Sequence, residues 1–156
     1  MARTKDTGPP ATAADEKSTL LGFLNYLRDA IAAKVAEVPE PEVRAAGVPS
    51  GTNLLGLIKH VTAVERLYFL GEPISNLRRT FRPTRTETVE GLLAAYQEAI
   101  EEANKIVERC TDLTAPARGD GAPSMRWVLV HLIEETGRHA GHADILREHI
   151  DGATGR

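Results

Sequence analysis

Apolar residues recur at helical spacing in four stretches of the chain, and polar or breaker-rich segments separate them. The first stripe, Leu20, Leu21, Leu24, Leu27, Ile31 and Val35, predicts a helix over about residues 15–38, opened by Ala14 or Asp15 and ended by Pro39 and Pro41. A connector with Gly47, Pro49, Ser50 and Gly51 follows, and residues 41–46 have room for one or two helical turns. The second stripe is Leu54, Leu57, Val61, Val64, Leu67 and Tyr68. It predicts a helix capped by Thr52 or Asn53, running to Leu70 and stopped by Gly71 and Pro73. Residues 72–87 read as a loop, long by ordinary standards and of the kind that carries function. The third helix opens at Thr86 or Thr88 and runs to about Cys110, with Val89, Leu92, Leu93, Tyr96, Ile100 and Val107 on its apolar face. After Gly119, Gly121 and Pro123, Ser124 caps a fourth helix that reaches Ile150 before Gly152.

No strand pattern competes with these helices, so the expected class is all-α and the expected architecture a four-helix bundle. Its domain spans residues 14–152, between a polar tail over residues 1–13, disordered at its start, and a short C-terminal tail over residues 153–156. Both long connections, residues 39–51 and 72–87, can cross an end of the bundle. The topology therefore stays open between up-down-up-down and a crossover form.

Composition narrows the classes of function. The 156 residues are 42% hydrophobic and 26% charged, with a formal net charge of −3. The chain lacks the basic excess that drives binding to nucleic acid. Its single cysteine, Cys110, excludes an internal disulfide and a thiolate-rich zinc site, and it suits a reducing compartment. Cys110 reads as structural or incidental. The start of the chain has no apolar run of the signal-peptide kind, and no stretch is apolar enough to span a membrane. The expectation is a cytoplasmic protein without a membrane partner.

Candidate chemistry comes from the histidines. His131, His139, His142 and His149 fall on the fourth helix and His60 near the middle of the second. Glu135 and His139 are one turn apart and share a face with Val128, Leu132, Ala143 and Leu146. His60 aligns with Leu57, Val64 and Leu67. A carboxylate on an apolar face costs several kcal/mol unless it is paired or holds a cation. His60, Glu135 and His139 facing one another across two helices relieve that cost if a divalent metal lies between them. The competing reading is a hydrogen-bonded core histidine, with Glu135 paired to Arg138 or Arg147 at the surface. His131 and His142 lie beside the stripe, where supporting hydrogen bonds are the expected role, and His149 sits on the polar edge.

Two segments carry a resemblance: LLGLIKHVTAVE, Leu54 to Glu65, and HLIEETGRHAGHAD, His131 to Asp144. They resemble the DinB-like superfamily, in particular the branch described as DUF664 or mini-circle-type proteins, over about residues 15–152. That resemblance implies a DinB-like four-helix bundle with a metal held by three side chains. Most such proteins carry three histidines. Here His60 and His139 match the first and third, Glu135 stands at the second, and His142 takes a place where many relatives have glutamine. The His-Glu-His set is similar to that of the mycothiol-dependent maleylpyruvate isomerase N-terminal domain, which binds zinc. The resemblance thus implies a divalent metal, Zn²⁺ first and Ni²⁺, Fe²⁺ or Mn²⁺ next. It also implies a transferase or isomerase using mycothiol or a related small thiol with an electrophilic substrate. The alternatives are a non-catalytic metal or small-molecule binding protein, stress-linked in role, and a plain metal-free bundle.

Three further expectations concern surfaces. Arg78, Arg79, Arg82 and Arg85 in the long loop either bind an anionic ligand or are simply solvated. Trp127 reads as a core or interface residue. Apolar residues left over on the first and third helices suggest a homodimer face.

Overall fold

The computed structural model describes residues 7–11 and 14–155. Much of the expected N-terminal tail lies outside those residues, and residues 7–11 carry no regular structure. The four long helices form where the apolar stripes place them. Helix α1 spans Glu16–Val35, with the Asp15 carboxylate accepting from the Ser18 amide at 2.9 Å. It stops three residues short of expectation. Glu37 adopts a left-handed φ of 63°, and the Arg147 guanidinium caps the freed carbonyls of Lys34 and Ala36 at 3.2 and 3.1 Å. A single 3₁₀ turn, Glu42–Arg44, occupies the predicted short helical piece.

Helix α2 spans Leu54–Glu65, capped by Asn53, and widens into one π turn over Arg66–Leu70 before Gly71 ends it with φ 75°. The expected loop contains a four-residue helix, α3, Leu77–Thr80. Helix α4 spans Val89–Arg109 with Thr88 as cap, and α5 spans Met125–Asp151 with Ser124 as cap. Each of these caps accepts the backbone N–H three residues on, which satisfies an orphan donor of the first turn.

Cross-helix contacts fix the directions. Glu16 pairs with Arg126 at 2.6 Å and Lys34 with Asp144 at 3.2 Å, so α1 and α5 run parallel. Lys17 Nζ instead reaches the carbonyls of Glu108 and Cys110, placing the start of α1 at the end of α4. Helices α2 and α4 both run against α1. The bundle is the crossover form, and residues 71–88 are the crossover, returning along α2 from its end to the level of its start. Lys59 Nζ holds the Arg82 carbonyl at 3.1 Å and the Glu87 carboxylate at 2.9 Å, and Arg44 holds the carbonyls of Thr84 and Glu87.

The core has two apolar clusters. One gathers Ile31, Val35, Leu57, Tyr96 and Ala143, the other Leu24, Phe69, Val107, Leu129 and Leu132. Between them, at mid-height, the helices bury polar residues: Arg28 on α1, His60 and Glu65 on α2, Thr136 and His139 on α5. Arg28 and Glu65 form a bidentate pair at 2.7 Å, and Arg28 also donates to Asn25 and Asn104.

Two expectations are narrowed. Trp127 is not a core residue: it is 47% exposed, because Val128 and Leu129 take the inward positions of that turn. The large apolar side chains left exposed lie on α1 (Phe23), on α5 (Trp127, Val130 and Ile145) and at Val48 and Leu77. None of them is on α4, so the third helix of the sequence offers no such face among the described residues. Among the described residues no helix is long and apolar enough to cross a membrane.

Candidate metal centre

His60 is buried on α2, and Glu135 and His139 sit one turn apart on the antiparallel α5, which brings all three together at the polar mid-layer. Glu135 Oε1 lies 3.0 Å from His60 Nε2 and 3.1 Å from His139 Nε2. One ligand atom from each of the three lies within 4.8 Å of the others. The surface pairing of Glu135 does not form: Arg138 binds Glu134 at 2.7 Å and Arg147 binds Asp151 at 2.8 Å.

The hydrogen bonds around His60 assign its tautomer. Thr80 has one hydroxyl hydrogen and donates it to the Leu77 carbonyl at 2.6 Å. Its oxygen must therefore accept from His60 Nδ1–H, 2.7 Å away. In the neutral ring Nε2 is then a bare lone pair facing a carboxylate oxygen at 3.0 Å. Two acceptors at that distance require a proton between them, on the ring or on the carboxyl, or a metal ion. Burial weighs against the proton, pulling His60 below the ordinary imidazole range against the opposing pull of Glu135. His139 is lowered too, by burial first and by His60 next. Burial pushes the Glu135 carboxyl upward, but its contacts with His60 and His139 outweigh that and hold it below its ordinary value. Two neutral imidazoles around one carboxylate form a donor set with net negative charge, able to bind a divalent metal.

The surroundings complete the site. Phe81 stacks on the His60 ring at 3.8 Å and meets His139 edge-on at 5.6 Å. A cavity of about 390 Å³ opens over the cluster, with Leu67, Tyr68, Leu77 and His131 in its walls. His131 stacks on Trp127 at 4.7 Å and meets Tyr68 edge-on at 4.8 Å, so this expected supporting residue forms an aromatic wall and does not touch the three central side chains by hydrogen bond. His142 does: its Nδ1 lies 3.3 Å from His139 Nδ1. His149 is exposed near the end of α5, and Cys110 donates its thiol to the Asp112 carbonyl at 3.3 Å.

Thr80 and Phe81 are site residues that periodicity misses, and Tyr68, on the predicted stripe, reads there only as an apolar position. Thr80 and Phe81 come from the crossover, where helical spacing says nothing. The one local signal is Asn76, which caps α3 by accepting from the Arg79 amide at 3.3 Å. Tyr68 lies in the π turn, which shifts its direction from that of a regular helix.

No curated protein matches the chain. The family model described as mycothiol-S-transferase matches residues 19–152, which takes in all four long helices but the first turn of α1, and the whole of the His60, Glu135 and His139 cluster. The chain belongs to the mycothiol-S-transferase family, within the DinB-like superfamily.

Proposed function

We propose that the protein is a metal-dependent transferase that joins a low-molecular-weight thiol, mycothiol, to an electrophilic substrate, with His60, Glu135 and His139 holding one divalent ion. The observation that supports this most is the acceptor-to-acceptor contact of His60 Nε2 with Glu135 at the floor of an open cavity. Zn²⁺ suits two imidazoles and a carboxylate with a position left for an outside ligand, and Ni²⁺, Fe²⁺ and Mn²⁺ suit them next. When bound, such an ion supplies Lewis acidity that favours the thiolate over the thiol at neutral pH.

The chain's own residues do the rest. Thr80 holds His60 in the tautomer that presents Nε2. His142 can hold His139 in the same way through the paired Nδ1 atoms. Phe81 covers one face of the His60 ring, and Tyr68 and His131 give the cavity an aromatic wall for the organic part of a substrate.

Metal analysis of protein purified without chelator or nickel resin tests the site, with about one divalent ion per chain expected. Incubation of the loaded protein with mycothiol and an alkylating electrophile tests the reaction, with conjugate forming above the rate of free metal. Metal at full occupancy with no conjugation across several electrophiles would instead favour a non-catalytic binding protein.

A further inference from the structure

The crossover carries positive charge that the fold leaves uncompensated. Arg78, Arg79, Arg82 and Arg85 are exposed, and their side chains enter no ion pair or hydrogen bond among the described residues. The nearby carboxylate, Glu87, is already engaged by Lys59 Nζ at 2.9 Å and the Thr84 amide at 2.6 Å. In a chain of net charge −3, this is an unneutralised basic stretch.

Two of these arginines share a built cleft. Arg78 on α3 and Arg82 just beyond it line a cavity of about 500 Å³ together with Ser50, Thr52 and Phe81. Phe81 is the ring stacked on His60 and also lines the cavity over the metal cluster, so it stands between the two spaces. On the other side, Ser50 and Thr52 also line a cavity of about 300 Å³ walled by Val48, Ile145 and Leu146. Val48 and Ile145 are 42% and 57% exposed, an apolar surface with no partner in the fold. His142, bonded to His139, completes that wall and ties it to the metal cluster.

We infer that Arg78 and Arg82 form an anion subsite beside the metal centre, and that the substrate brought to it is an organic acid with an apolar chain. The inference rests on the proposed transferase reading for its role, though not for its existence. Guanidinium groups give charge-assisted, fork-shaped hydrogen bonds to a carboxylate. The Ser50 and Thr52 hydroxyls can add to them, and the Val48–Ile145 surface covers the chain. Arg78 and Arg82 are thus specificity-determining residues for the second substrate.

The test uses 4-phenylbutyrate and its uncharged amide as probes, titrated by calorimetry against the full chain, metal-free and zinc-loaded. The carboxylate should bind about tenfold more tightly than the amide, and added salt should weaken it. Arg78→Gln/Arg82→Gln should abolish the preference, whereas Arg85→Gln, on the same loop but outside the cleft, should keep it. Equal binding of acid and amide, or a double variant that discriminates like the wild type, overturns the inference. Inorganic phosphate binding as tightly as phenylbutyrate would also overturn it, since phosphate brings no apolar chain. The metal-free arm keeps the two readings apart. A carboxylate preference without metal stands even if zinc never loads, and zinc loading without the preference leaves the metal centre standing alone.

Discussion

Replacing Thr80 with valine deletes the hydroxyl oxygen that accepts from His60 Nδ1 and changes little else in size. His60 then loses the partner that fixes which nitrogen carries the proton, and a buried N–H is left unsatisfied. Metal affinity should fall about 10- to 100-fold, the range for losing such a supporting partner, in a competition titration against a chromophoric chelator. Unchanged affinity would remove Thr80 from the site. Glu135→Gln keeps the shape and removes the charge, so it should lower affinity further than Thr80→Val in the same assay. The pH dependence follows from the direction of the imidazole shifts. Below about pH 6.5 an unfolded histidine takes up protons, while His60 and His139, lowered by burial, resist. The unfolded chain then binds more protons than the folded one. Stability of the metal-free protein should fall as pH drops from about 6.5 through the lowered folded values, and be fully recovered above that window. Thermal melts of metal-free protein between neutral and acid pH check the sign, and a flat profile would refute it. His60, Glu135 and His139 are legible in the sequence because helical spacing puts each on an apolar face. Thr80 is not, because its place depends on how a non-periodic segment folds back.

At the scale of elements, the crossover decides whether the site exists. Residues 71–88 must return along α2 closely enough for Thr80 and Phe81 to meet His60, and at Gly56 their backbone passes close to the helix. A Cβ at Gly56 would lie 2.2 Å from the Phe81 carbonyl oxygen, a backbone atom that cannot simply rotate away. On helix propensity alone, alanine there should stabilise α2 by about 1 kcal/mol. The clash should win. Gly56→Ala should destabilise the protein by about 1–3 kcal/mol and weaken metal binding as Thr80 and Phe81 are pushed off His60. A thermal shift with a metal titration on the same variant checks both effects, and a stabilised variant with normal affinity would show that the crossover yields freely. Helix positions and caps are readable from the sequence, since Asn53, Thr88 and Ser124 sit where the apolar stripes begin. Direction is not. Two connections of similar length allow either topology, and the choice is made by contacts such as Glu16–Arg126 and Lys17 with the end of α4, which pair residues far apart in sequence. The π turn is equally hidden, because Leu67 and Tyr68 satisfy an ordinary helical stripe.

For the whole molecule, the polar mid-layer ties the His60, Glu135 and His139 cluster to the rest of the bundle through α2, which carries both His60 and Glu65. The Arg28–Glu65 pair is 1% and 0% exposed at its side chains, and Asn25, Asn104 and the face of Phe69 surround the guanidinium. The sequence holds a trace of it. Arg28 falls between Leu24 and Ile31 in the apolar stripe of α1, a charged residue where the pattern asks for an apolar one. Its partner is not predictable from one helix, since Glu65 lies on another. Taking one charge from such a pair strands the other in the core, whereas replacing both with apolar groups does not. Arg28→Met should therefore cost about 3–5 kcal/mol in urea unfolding, and Arg28→Met/Glu65→Leu should recover most of that loss. If the double variant is as unstable as the single one, the pair acts through packing of α1 against α2 and not through charge. If Arg28→Met is nearly neutral, Glu65 sheds its charge or finds water in the folded state. The expected result, a costly single and a recovered double, means that the cost of the single is that of a stranded buried charge, and the metal affinity of the double variant then reads whether the pair also sets the height at which His60 meets Glu135.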